Sequence, residues 1–323
     1  MSGTHRGSWF GRRSRATAGL AVLLAVLGAW SGDCSAEDAP TPAGRFVKHV
    51  HRDADGPHHF QVFVPAGEAP KQGWPLILYL HGALECGDDG VKPVQIGLGP
   101  YVRARAATFR FVVVFPQCET TEGRRYLERW LAGSPDSRRA LAVLAQVERD
   151  YPIDTKHEIV TGWSMGGYGA WSFGIADPDR WAAVVPVSGG GLDPAAAEKL
   201  KGVPVWAIHG AKDQIVRPER SREMIDALRA AGGKARHDEP ADWAHVAWKL
   251  AYDSEAMFAW MLDPKAGGPP ATVELVAKGT PLPLDTTPFV PAVEISHAAY
   301  LRLGNEVFDV LSKSIPEQVS SEL

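Results

Sequence analysis

Two hydrophobic patterns alternate along this chain. Short unbroken apolar runs, bounded by Gly and Pro, are separated by segments whose apolar positions recur every three or four residues. "PLILYLHG" (75–82) and "FRFVVVFPQ" (109–117) are runs of the first kind. They are expected of strands buried on both faces. "RFVKHV" and "HHFQVFVPA" read as two opening strands joined by a turn at 53–57. "HEIVTGWS" (157–164), "WAAVVPVSGG" (181–190) and "GVPVWAIHG" (202–210) predict further strands. Between them, Ser134-Pro135 can cap and start a helix in which Leu141, Leu144 and Val147 fall at helical spacing. A second helix is predicted from Gly166 to about Ala176. A third, "SREMIDALRAAGG" (221–233), ends at its glycines. Residues 245–261 read as one closing helix.

Strands alternating with helices predict an α/β protein: a mostly parallel central sheet with helices on both faces. That unit spans 45–263. "PKAGGPP" (264–270) then reads as a linker. The rest, to 323, is a Pro-rich C-terminal extension with a modest helical pattern over 295–311 and no assignable role. There is no internal repeat.

The beginning of the chain follows another logic. Arg6, Arg12, Arg13 and Arg15 precede the apolar stretch "AGLAVLLAVLGAW" (18–30), which is short for a bilayer span. "CSA" (34–36) offers small residues for cleavage. Residues 1–36 are therefore expected to be a signal peptide of the Sec or twin-arginine type, and 37–44 a linker. The mature protein would be periplasmic or extracellular, with no stable membrane insertion. Cleavage would remove four arginines and Asp33, taking the formal net charge from −4 to −7. With no basic stripe, nucleic acid is not an expected partner. Of the cysteines, only Cys86 and Cys118 would remain.

Chemistry concentrates at Gly162-Trp163-Ser164-Met165-Gly166. This is a G-x-S-x-G pentapeptide between a predicted strand and a predicted helix, the context the motif requires. A serine hydroxyl is a weak nucleophile unless a base takes its proton and an acid orients the base. In chain order the candidates are Ser164, Asp213 just past "WAIHG", and His245 before the closing helix. Both partners lie at strand C-terminal ends, where open parallel sheets gather their sites. Asp193, Asp238 and Asp242 are rivals for the acid. His209 reads as a structural histidine beside it. The oxyanion formed in acyl transfer needs two fixed N–H donors. Met165 is expected to supply one, and Ala83, or next to it Leu84, the other, from "HGALECGDDG".

Together "YLHGALECGDDG", "VVVFPQC", "TGWSMGGYGAW" and "HGAKDQIV" resemble the α/β-hydrolase superfamily. Within it they resemble the secreted esterase and predicted-peptidase branch, near feruloyl esterases, polyhydroxyalkanoate depolymerases, the phospholipase/carboxylesterase group and prolyl-oligopeptidase-like proteins. The resemblance covers about 45–263. It implies serine hydrolysis of a small-molecule or polymer-linked ester through an acyl-enzyme, with no organic cofactor and no metal. Peptidase, acyltransferase and catalytically silent binding protein are the alternatives. Relatives often carry a glycine before the histidine where this chain has "ADWAHVAW". Cap domains commonly enter after the sixth strand, but 188–203 has room only for a turn and a short helix, so no cap domain is expected. In this fold the third and fourth strands are neighbours, so Cys86 and Cys118, just beyond their ends, are candidates for a disulfide. Residues 118–130, with Arg124, Arg125, Tyr126 and Trp130, are a candidate cleft wall. Trp163, Trp243 and Trp248, close in sequence to these residues, are candidate stacking surfaces for substrate.

Overall fold

The computed structural model describes residues 43–119 and 127–264. Eight strands form one sheet in the order β1-β2-β4-β3-β5-β6-β7-β8. They are β1 (Arg45–Asp53), β2 (Gly56–Val64), β3 (Trp74–Leu80), β4 (Val112–Phe115), β5 (Ile153–Trp163), β6 (Trp181–Val187), β7 (Val205–Ile208) and β8 (Ala235–Asp238). β1 and β2 form an antiparallel hairpin, and β2 lies antiparallel to β4. From β4 to β8 every pairing is parallel. The helices are α1 (Leu98–Ala104), α2 (Pro135–Asp150), α3 (Met165–Ala176), α4 (Glu219–Ala230), α5 (Trp248–Asp253) and α6 (Glu255–Met261).

The apolar runs are continuous because a strand's side chains alternate between faces and both faces are covered. On β3, Leu76, Leu78 and Leu80 enter one core with residues of α2, α3 and α4. Ile77 and Tyr79 enter the other, with residues of α1, α5 and α6. β4 divides likewise, Val112 and Val114 to the first core, Val113 and Phe115 to the second.

Two helix predictions need correction. α2 starts as expected, the Ser134 side chain accepting the Ser137 N–H at 3.0 Å. Its buried seam, however, is Ala140, Val143, Leu144 and Val147, and Leu141 lies outside it, 38% exposed. The single closing helix is in fact two. Ser254 adopts an extended conformation (φ −82°, ψ 103°) and caps α6 by accepting the Met257 N–H at 3.2 Å. His245 lies in the loop before α5. After β6 the chain holds only a 3-10 helix at Pro194–Leu200, leaving no cap domain among the described residues at that crossover.

No helix among the described residues is long and apolar enough to cross a membrane. Residues 1–42, 120–126 and 265–323 lie outside the described residues, and with them the expected signal peptide, most of the linkers and extension, and Arg124, Arg125 and Tyr126.

Candidate active site

Ser164 stands between β5 and α3 with φ 55° and ψ −119°, a backbone region that L-residues avoid. Neighbouring backbone holds it there. Its N–H donates to the Val187 carbonyl at 2.9 Å, and its carbonyl accepts from Gly167 and Tyr168 at 2.8 and 3.1 Å. The motif's glycines are demanded by packing. A Cβ on Gly162 would lie 2.5 Å from the carbonyl oxygens of Gly166 and Leu80. One on Gly166 would lie 1.9 Å from the Leu80 oxygen. The corner closes only where α3 can touch the ends of β3 and β5.

His245 and Asp213 meet this serine. His245 Nε2 is 2.9 Å from Ser164 Oγ, and His245 Nδ1 is 2.7 Å from Asp213 Oδ2. Asp213 Oδ1 accepts the backbone N–H groups of Ile215 and Val216 at 2.9 and 3.0 Å. All three side chains are buried, no more than 5% of each residue being exposed. Burial pushes the Asp213 carboxyl up. The His245 charge and the hydrogen bonds from His209 and His245 outweigh it and hold the carboxyl well below the usual range. The rival acids are occupied elsewhere. Asp193 caps the Pro194–Leu200 turn, Asp238 accepts the Trp206 indole N–H at 2.7 Å, and Asp242 pairs with Lys212 on the surface.

The loop carrying His245 is held by residues that sequence reasoning passed over. A Cβ on Gly210 would lie 2.3 Å from the Ala244 oxygen, so the loop packs directly on that glycine. The Lys212 N–H donates to the Trp243 carbonyl at 2.8 Å. Ser188, at φ 47° just past β6, donates its hydroxyl to the His245 carbonyl at 3.0 Å. The local signal for Ser188 was weak: a serine before a glycine run marks a turn and says nothing of its distant partner.

Met165 opens α3, and Ala83 and Leu84 open a 3-10 turn at Ala83–Glu85 after β3. N–H groups at a helix start have no intrahelical acceptor. The turn is braced from below. His81 Nδ1 donates to the Gly82 carbonyl at 2.6 Å, and His81 Nε2 accepts the Cys118 N–H at 3.0 Å. Burial lowers the His81 pKa to about 4, which keeps the ring neutral. Glu85, also buried, is pushed up by desolvation to about 7.

Several expected substrate contacts are not available. Trp130 and Trp163 are 0% and 1% exposed and present no face for stacking. Trp130 instead donates its indole N–H to the His81 carbonyl at 3.0 Å, and Trp163 packs against the His245 ring, centroids 5.4 Å apart. Trp248 remains half-buried beside Trp163. Cys86 and Cys118 come together as the strand order implies, but both are buried free thiols, not a disulfide. With His81 they bring three potential metal donors within 4.8 Å of one another, a group that sequence spacing hid. Both nitrogens of His81 are already engaged in the hydrogen bonds just described.

No family model matches the chain. A bifunctional acetylxylan esterase/xylanase of Neocallimastix patriciarum is 26% identical over 171 residues, 53% of this chain and 23% of that protein. A thermostable esterase of known crystal structure is 26% identical with a TM-score of 0.60, over 67% of this chain and 62% of that one. The chain thus spans less than two thirds of either. A fluorophosphonate-binding serine hydrolase of Staphylococcus aureus superposes with a TM-score of 0.53 at 17% identity, over 68% of this chain and 99% of that one.

Proposed function

We propose that this chain, whose sheet order and helices are those of the α/β-hydrolase fold, is a serine hydrolase of carboxylic esters. The observation that carries the reading is the unbroken hydrogen-bonded relay from Ser164 Oγ through His245 to Asp213, assembled from three separate loops. Ser164 attacks the ester carbonyl while His245 Nε2 takes its proton. Asp213 keeps the proton on Nδ1 and balances the imidazolium. The N–H groups of Met165 and Ala83, with Leu84 next to it, receive the oxyanion. His245 then protonates the leaving alcohol, and water, activated by the same imidazole, releases the acid from Ser164. The acetylxylan esterase likeness makes acetylated polysaccharide the first polymer-linked ester to try.

The test joins a fluorophosphonate probe to a panel of p-nitrophenyl esters, acetylated sugars and peptide amides. Ester turnover together with a label lost in Ser164→Ala supports the reading. Faster turnover of amides would transfer it to a peptidase. A folded protein that neither labels nor turns over any substrate sinks it.

The same reading includes export, with residues 1–36 removed as the signal. Intact-mass measurement of the natively secreted protein reads the cleavage, and a retained N-terminus overturns it.

A further inference from the structure

Outside the relay, the group with the most constrained chemistry is His209, at the end of β7. It is completely buried, and both ring nitrogens make short contacts. Nε2 lies 3.1 Å from Asp213 Oδ2 and 2.9 Å from the Val216 carbonyl oxygen. A carboxylate and a carbonyl only accept, so Nε2 must carry a hydrogen. Nδ1 lies 2.8 Å from Ser221 Oγ, and Ser221 Oγ lies 2.6 Å from the Gly189 carbonyl oxygen. Serine has one proton. The Gly189 contact requires it, because that carbonyl has none to give. The Nδ1 contact therefore requires a hydrogen on Nδ1 as well. A neutral ring would set two lone pairs face to face in a buried place, where no water relieves the repulsion.

From this we propose that His209 is a doubly protonated imidazolium, a positioning residue that shares Asp213 Oδ2 with His245 in a His–Asp–His arrangement. The carboxylate is then saturated: Oδ1 holds two backbone N–H groups, and Oδ2 holds one ring N–H from each histidine. The His209 N–H donates to the Asp238 carbonyl at 2.9 Å, fixing the backbone beneath. The surroundings favour one cation there. Asp213 comes from the loop after β7, and Glu239, paired with Arg222, from just beyond β8. His237 on β8 is held neutral by burial, its pKa lowered to about 4. Tyr168 of α3 faces Asp213, and burial pushes it up to about 12, so it too is uncharged. α4 contributes the neutral Ser221.

A fixed positive charge across the carboxylate opposes a second one on His245. It therefore favours the neutral, base-competent imidazole of the reaction proposed above, on which this consequence rests. In the full chain labelled with 15N-histidine, both ring nitrogens of His209 are expected to carry hydrogens at the neutral pH of the activity assay. An unprotonated ring nitrogen there overturns the assignment whether or not the chain hydrolyses anything. His209→Gln keeps an amide donor and removes the charge. In that variant the acid limb of kcat/KM against pH is expected to move to higher pH by about half a unit to one unit. A merely structural role would lower activity without displacing the limb, so an unmoved limb in a folded variant overturns the charge effect. Imidazolium resonances in a protein without esterase activity would sink the proposed function and leave the His209 assignment standing.

Discussion

A single side chain is the natural unit for Ser164 and Glu85. Ser164→Ala removes the proposed nucleophile at a corner that other atoms hold in place, so the fold should survive. Turnover of the best ester is expected to fall on the order of a millionfold in kcat, with the melting temperature nearly unchanged. Asp213 remains ionised at any moderate pH, because its folded pKa lies below the usual range. Its contribution to stability is present above the ordinary carboxylate value and is lost only as pH falls through the folded value. Glu85 runs the other way. Its folded pKa, about 7, is raised above that of an unfolded glutamate, so folding loses stability as pH rises toward 7. Glu85→Gln should match the parent near pH 4. It should gain about 2–3 kcal/mol over it by about pH 8, read from urea denaturation at the two pH values. Neither pKa was legible in the sequence. "HGALECGDDG" shows a glutamate but not the walls around it, and burial sets its charge.

Among elements, the strands were the most legible. β3 and β4 are buried on both faces, and an unbroken apolar run has few other uses in a parallel sheet. Their lengths and register came from pairing, as when the run 109–117 yields only Val112–Phe115 as β4. The helices were less so. Leu141 fits the period of α2 yet faces solvent, because the groove over the sheet admits Ala140 and Val143 on either side of it. Ser254 splits the closing helix because a serine can cap as well as sit inside, and only the turn of the chain selects the cap. Two substitutions separate capping from packing. Ser134→Ala removes the α2 cap and should cost about 1 kcal/mol, with activity retained. Gly166→Ala forces a methyl against backbone that cannot retreat and should cost more than about 2 kcal/mol. It should also displace Ser164. Parallel urea melts and probe labelling check both, and equal costs would refute the packing account of the motif.

For the whole molecule, two cores close against one sheet within residues 43–264, each supplied by helices of its own face. A chain cut to those residues is expected to fold cooperatively, keep its melting temperature within a few degrees, and label with the probe as the longer chain does. Loss of both stability and labelling would show that the N-terminal or C-terminal segments complete the unit. Only at this scale do the residues of the site find one another. Ser164 and His245 are separated by 81 positions, Ser188 and the His245 carbonyl by 57.

The sequence by itself determined the α/β alternation and the tight serine corner, and it singled out the three residues that the structure joins by hydrogen bonds. Each depends on short-range rules: apolar period, turn chemistry, and the reactivity of a residue type at a strand end. The tertiary structure alone decided that Trp130 and Trp163 are packing, that Ser188 and Gly210 hold the His245 loop, and that His209 shares the Asp213 carboxylate. Those outcomes turn on burial and on hydrogen-bond partners far along the chain. Neither exists until the sheet brings its strand ends to one edge.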